Sequence, residues 1–189
     1  MRLERHKNFL SLEECTELNA WVDEATAKNW LGAGINARGE PYNPDKRVTS
    51  RFYGHRFEYP QLVLDISKRI RSFYGVESYE LIGGHGRDGV VVSNTFNTGD
   101  VYSHKDPRSN GLSALRLNIL TRKPTLGGVL HIEGQPIDIE AGELHCYLAS
   151  EFTHGVSTVE GDVPRVLWMF GAYVPMQAWE SGAIKVGAN

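Results

Sequence analysis

Residues 113–149 read SALRLNILTRKPTLGGVLHIEGQPIDIEAGELHCYLA. Four short β-rich runs lie in that stretch: SALRLNILT (113–121), GGVLHI (127–132), PIDIE (136–140) and ELHCYLA (143–149). Turn residues separate them and no helical period runs through them. The same grammar extends outward, with VVVSNTF (90–96) and VYSH (101–104) before it and HGVSTV (154–159) and RVLWMFGAYV (165–174) after it. Eight short strands in succession predict an antiparallel sandwich or jelly roll.

Upstream the pattern changes to helix. Residues 11–29, SLEECTELNAWVDEATAKN, open with Ser11 and carry Glu14 three positions on, the signature of a capping box. Leu12, Cys15, Leu18, Trp21, Val22 and Ala25 then fall near one helical face. A second helix is predicted from Pro60, suited to a first helical position, through Leu62, Leu64, Ile66, Ile70 and Phe73 to a stop at Gly75. Between the two, residues 32–58 are polar and rich in glycine and proline, too long for a simple connector, which predicts a functional lid. No internal repeat or linker divides the chain. The expected organisation is one domain over residues 1–189, mainly β with flanking helices: helices and lid in 1–89, a β core in 90–175.

The 189 residues are 41% hydrophobic and 23% charged, with a formal charge of −3. That balance suits a globular protein and lacks the basic footprint of tight phosphate-backbone binding. Cys15 and Cys146 are too few for a disulfide framework and lack zinc-site spacing, which points to a reducing compartment. The start, MRLERHKNFL, is charged, and no apolar run approaches the roughly 20 residues that span a bilayer. The expectation is a cytoplasmic chain with no membrane partner. Nothing in the sequence specifies an oligomeric state.

The residues with chemistry stand at the joints of the β runs. In VYSHKD, residues i and i+2 of a strand share a face, so His104 and Asp106 are expected to project together, with Tyr102 of the same parity. His154 follows 48 positions after Asp106, in FTHGVST. Two imidazoles and one carboxylate with open coordination positions make the facial triad of non-heme iron(II) oxygenases. Eleven residues after His154, Arg165 opens an otherwise apolar strand. A guanidinium entering a core strand calls for an anionic partner, and its fork suits a carboxylate.

The ordered set His104-Lys105-Asp106, His154, Arg165 resembles the 2-oxoglutarate and iron(II)-dependent dioxygenases over about residues 90–175. NTFNTG (94–99) and GGVL (127–130) are similar to the N-x-aromatic-x-x-G and GG-x-L motifs of their prolyl-hydroxylase-like branch. The resemblance implies a double-stranded β-helix (jelly-roll) barrel braced by the N-terminal helices. It implies iron(II) on His104, Asp106 and His154, and 2-oxoglutarate chelated by that metal with its far carboxylate on Arg165. Hydroxylation would consume O2 and release succinate and CO2. Leu167 stands two residues after Arg165 where many relatives have Ser or Thr. By position Asn94, Tyr102 and Asn118 are the candidates to assist the arginine. The substrate implied is an amino acid, a residue within a peptide, or an amino-acid-derived small molecule.

Other residues divide between bland and functional readings. His6 is expected to be solvated, His131 and His145 to lie on strand faces, and His85 to sit in a turn. The stretch SRFYGHRFEYP (50–60) is either an edge strand with a basic rim or a flap. As a flap, Arg51, Tyr53, His55 and Arg56 would contact substrate, and Arg116 is the next basic residue available for an anion. The similarity of RFYGHRFEY to the recognition lid of AlkB-type nucleic-acid dealkylases makes that class one alternative. A non-catalytic jelly-roll binding module is the other.

Overall fold

The computed structural model describes residues 2–35, 39–82 and 89–184; His85 lies outside them. Ser11 caps helix α1 (Leu12–Ala27): its hydroxyl accepts from the Glu14 N–H and the Glu14 carboxylate accepts from the Ser11 N–H, the predicted capping box. Cys15, Leu18, Val22 and Ala25 are its buried stripe, while Leu12 in the first turn is 84% exposed. Helix α2 (Gln61–Tyr74) follows Pro60 and ends at Gly75, whose φ of 64° is the left-handed conformation that glycine adopts without a Cβ clash. Val63, Ile66, Ile70 and Tyr74 form its buried stripe, so Leu62, Leu64 and Phe73 flank the contact. A short α3 (Met176–Glu180) closes the described chain.

The β runs form a jelly roll. Its major sheet has the order β1 (Glu4–His6), β10 (Glu143–Leu148), β6 (Ser113–Arg122), β13 (Arg165–Val174), β4 (Val91–Thr95), β3 (Arg47–Thr49), β2 (Gly32–Ala33), antiparallel between every pair of neighbours. The minor sheet is β5 (Val101–His104), β11 (His154–Val156), β8 (Leu130–Ile132), β9 (Gln135–Ile137). A ribbon of β7 (Leu126–Gly127) and β12 (Val159–Glu160) splits the predicted GGVLHI and HGVSTV runs in two.

Strand alternation divides the major sheet into two chemical faces. Leu115, Leu117 and Ile119 on β6, Leu144, Cys146 and Leu148 on β10, and Val166, Trp168 and Phe170 on β13 join the helices in one buried core. The alternate positions, among them Arg116, Asn118, His145, Tyr147, Arg165 and Met169, line a cavity against the minor sheet. The helices thus brace the outer face and leave the inner one for chemistry.

Parts of the span 32–58, expected as a lid, are sheet and core. β2 and β3 lie in that span and extend the major sheet beyond β4, so Arg47 and Thr49 are wall residues. Phe57 and Tyr59 turn the following chain outward. They pack on Trp21, and Tyr59 also on Trp168, on the helix side, because burying two aromatic rings outweighs leaving them on a flap.

Candidate metal centre and anion pocket

Three elements bring the ligand set together. β5 and β11 pair with His104 opposite His154 and Val101 opposite Val156. Three steps along β5 thus match two along β11, and the extra residue is a bulge. It puts Val101, rather than Tyr102, on the cavity side with His104; Tyr102 is 45% exposed and lies off the cavity lining. Asp106 follows the end of β5, where its N–H donates to the Ala149 carbonyl (3.0 Å). The strands approach closely: a Cβ on Gly155 would lie 2.8 Å from the Val101 carbonyl oxygen.

His104 Nε2 lies 3.4 Å and His154 Nε2 4.0 Å from Asp106 Oδ1, and one ligand atom from each residue fits within 4.8 Å of the others. His104 Nδ1 sits 2.7 Å from the Tyr102 carbonyl oxygen and His154 Nδ1 3.1 Å from that of Phe152. A carbonyl only accepts, so each Nδ1 carries the proton and each Nε2 presents its lone pair to the cluster. Burial pulls the His154 imidazole down to about 4 against the attraction of Asp106, which keeps it neutral. Burial alone would raise the Asp106 carboxyl; the Arg116 guanidinium overrides it and holds the group far below the usual carboxylate range. Arg116 Nε donates to Oδ2 at 2.6 Å, which leaves Oδ1 facing the imidazoles. Two imidazoles and an ionised carboxylate fit a divalent transition metal.

The cavity beside this cluster measures about 380 Å³. Across it stands Arg165, 2% exposed, whose Nε donates to the Gly128 carbonyl (3.0 Å). No carboxylate among the described residues pairs with it, and burial together with Arg47 lowers it to about 10. Asn118 and His145 are opposite one another on β6 and β10; Asn118 Oδ1 and both His145 ring nitrogens are buried without hydrogen-bond partners. Burial and the neighbouring Arg165 push His145 down to about 3, so it is neutral. A buried guanidinium edged by unused polar groups is suited to an anion brought from outside.

Of the residues expected at the site, His104, Asp106, His154, Arg165, Asn118, Arg116 and Arg51 line one cavity. Asn94 does not: it is opposite Val166, faces the helix layer, and donates from Nδ2 to Thr26 Oγ1 on α1 (3.2 Å). Tyr53, His55 and Arg56 also stand off the lining, with the Arg56 guanidinium over the Tyr53 ring. The AlkB-like stretch, anchored in the core through Phe57 and Tyr59, supplies only Arg51 to the cavity. Arg47, His145 and Tyr147 were not singled out from the sequence as site residues. Cavity parity with Arg116 and Arg165 marks all three, but it becomes readable only once strand pairing is known.

No protein-family model and no curated protein sequence matches the chain. Solved structures do. A prolyl hydroxylase from Trichoplax adhaerens, in complex with a hypoxia-inducible-factor oxygen-degradation-domain peptide, matches at a TM-score of 0.69 and 16% identity, over 90% of this chain and 83% of that one. A viral collagen prolyl hydroxylase from Paramecium bursaria Chlorella virus-1, in its 2-oxoglutarate complex, matches at 0.63 and 14%, over 92% and 96%. A Pseudomonas putida prolyl-4-hydroxylase matches at 0.59 and 17%, over 90% and 92%. With its braced seven-stranded sheet, facing minor sheet and near-complete coverage of these structures, the chain has the jelly-roll fold of the prolyl hydroxylases.

Proposed function

We propose that this protein is an iron(II) and 2-oxoglutarate-dependent dioxygenase that hydroxylates an amino acid, an amino-acid residue or an amino-acid-derived small molecule. The observation that carries this reading is the pairing, in one cavity, of a His-Asp-His cluster with a buried arginine that has no carboxylate partner among the described residues. The fold shared with prolyl hydroxylases supports it.

His104 and His154 would hold the metal through Nε2 and Asp106 through Oδ1, while Arg116 keeps the carboxylate ionised and turned. Iron(II), when bound, would supply activation of O2 coupled to oxidative decarboxylation of 2-oxoglutarate. Arg165 would take the far carboxylate of that co-substrate through its terminal nitrogens, since Nε already serves Gly128. Asn118 and the neutral His145 lie where hydrogen bonds can complete the anion's shell. Leu130, Val156, Leu167 and Met169 keep the walls apolar, which excludes water and strengthens the charge pairing inside.

Metal titration and succinate release test the proposal together. The expected result is one iron(II) per chain, lost in His104→Ala and His154→Ala, and succinate formed from 2-oxoglutarate in the native protein. In Arg165→Ala, loss of a buried charge pair of about 2–5 kcal/mol raises the 2-oxoglutarate requirement about thirtyfold or more. Full metal retention in both histidine variants, or an unchanged 2-oxoglutarate dependence in Arg165→Ala, overturns the assignment.

A further inference from the structure

The cavity holds more positive charge than the proposed chemistry uses. Among the described residues its lining carries Arg47, Arg51, Lys105, Arg116 and Arg165 against a single acidic residue, Asp106. Arg116 is paired with Asp106, and Arg165 is assigned to 2-oxoglutarate. Arg51 and Lys105 are exposed, so water solvates them. That leaves Arg47. It is half-buried on β3, its Nε donates to Ser93 Oγ (2.8 Å), and its guanidinium lies over the Tyr42 ring, 4.6 Å from the centroid. No carboxylate among the described residues pairs with it; Asp100 attracts it only weakly, and Arg51 repels it.

It stands on a different strand from Arg165. Arg47 is opposite Thr95 on β4, and Thr95 is opposite Arg165 on β13, so the two arginines occupy one level of the sheet two strands apart. Strand spacing puts their backbones roughly 10 Å from each other. The Nε contact to Ser93 and the Tyr42 side chain, which lies under the guanidinium and hydrogen-bonds it, fix the Arg47 plane. Two N–H groups on a fixed plane match the two oxygens of a carboxylate. Gly34 and Ile35 line the cavity near this end, and the metal ligands lie on the opposing minor sheet.

We infer that Arg47 anchors a carboxylate of the primary substrate, which is therefore a small carboxylic acid rather than an internal residue of a polypeptide. The inference rests on the hydroxylase reading and deepens it. The backbone of an internal residue presents an uncharged amide where a free amino acid or other small acid presents an anion, and burying Arg47 against an amide forfeits the charge pairing.

The test uses the intact protein loaded with zinc(II), with and without saturating 2-oxoglutarate, titrated with propionate, propionamide and methylphosphonate and followed by isothermal titration calorimetry. Propionate is expected to saturate, with propionamide at least tenfold weaker. Arg47→Gln should weaken propionate at least tenfold while weakening 2-oxoglutarate far less than Arg165→Gln does. Arg47→Lys, which keeps the charge but not the fork, should retain part of the propionate affinity and controls for folding. Propionate that does not saturate, binds no better than its amide, or binds equally in Arg47→Gln overturns the inference. So does an Arg47→Gln loss of 2-oxoglutarate as large as that of Arg165→Gln, which would make Arg47 part of the co-substrate site. Methylphosphonate binding tighter than propionate overturns the carboxylate class. Native protein that binds propionate through Arg47 but no 2-oxoglutarate defeats the hydroxylase reading and leaves the anchor standing.

Discussion

Asp106 shows how one residue is made fit for metal binding. Its Oδ2 is taken by Arg116 at 2.6 Å, so Oδ1 alone faces the two imidazoles. Arg116→Met would leave that carboxylate buried without its cation and free to rotate. Affinity for zinc(II), measured by chelator competition, is expected to fall about 10- to 100-fold; unchanged affinity would show that Arg116 does not position the ligand. The imidazoles make a second prediction. In the folded protein burial lowers His145 to about 3 and His154 to about 4, against an ordinary value of 6.5. Between those values the unfolded chain binds protons that the folded chain refuses, so stability is full above 6.5 and falls as pH drops through the window. At pH 4.5 each histidine should cost the metal-free protein about 2–3 kcal/mol. His145→Gln is expected to restore about 2 kcal/mol of that loss, read as the change in urea unfolding free energy between pH 7 and pH 4.5. An equal pH loss in the variant would remove His145 from the account.

Among elements, the β5–β11 pair controls whether the two histidines meet. His104 and His154 are opposite one another, with ring centroids 4.4 Å apart, because the bulge absorbs one residue of β5. Gly155 lets the strands approach: an added Cβ would lie 2.8 Å from the Val101 carbonyl oxygen and 3.1 Å from the Ser103 Cα, both backbone atoms that cannot swing aside. Gly155→Ala should therefore push β5 away from β11 and move His104 off the cluster. Metal affinity is expected to drop on the order of tenfold, with far-UV circular dichroism unchanged. Native affinity in this variant would mean that the pair tolerates the displacement.

For the whole molecule, the major sheet keeps stability and chemistry on opposite faces. Trp168, fully buried, touches Trp21 and Tyr59 on the helix side, while its neighbours Leu167 and Met169 line the cavity. Trp168→Ala should cost about 3–5 kcal/mol by leaving a cavity between sheet and helices. Urea unfolding measures that cost, and zinc(II) titration of the remaining folded protein should give near-native affinity. A parallel loss of metal binding would show that the two faces are coupled. No helix among the described residues is long and apolar enough to cross a membrane.

Local chemistry was legible in the chain itself. Ser11 and Glu14 spelled out the α1 cap and Gly75 the α2 stop, because capping depends on residues a few positions apart. The eight β-rich runs announced a jelly roll, and the His104, Asp106, His154 and Arg165 spacing pointed to the residues that line one cavity, since ligand order along the strands survives folding. What depended on cross-strand register was hidden. Tyr102 shares parity with His104 in the sequence, yet a bulge set by the partner strand turns it out. Asn94 stands at a motif position, yet pairing with Val166 gives it the helix face. The segment around Phe57 and Tyr59 has the polarity of a loop, yet its two rings find Trp21 in the core, while β3 joins the sheet and carries Arg47 inside. A one-residue change of register reverses which face a side chain occupies, and register is set by contacts between segments far apart in the chain. The residues that cluster as His104, Asp106 and His154 could therefore be named from sequence, whereas the residues that line the rest of the cavity were decided by the tertiary structure.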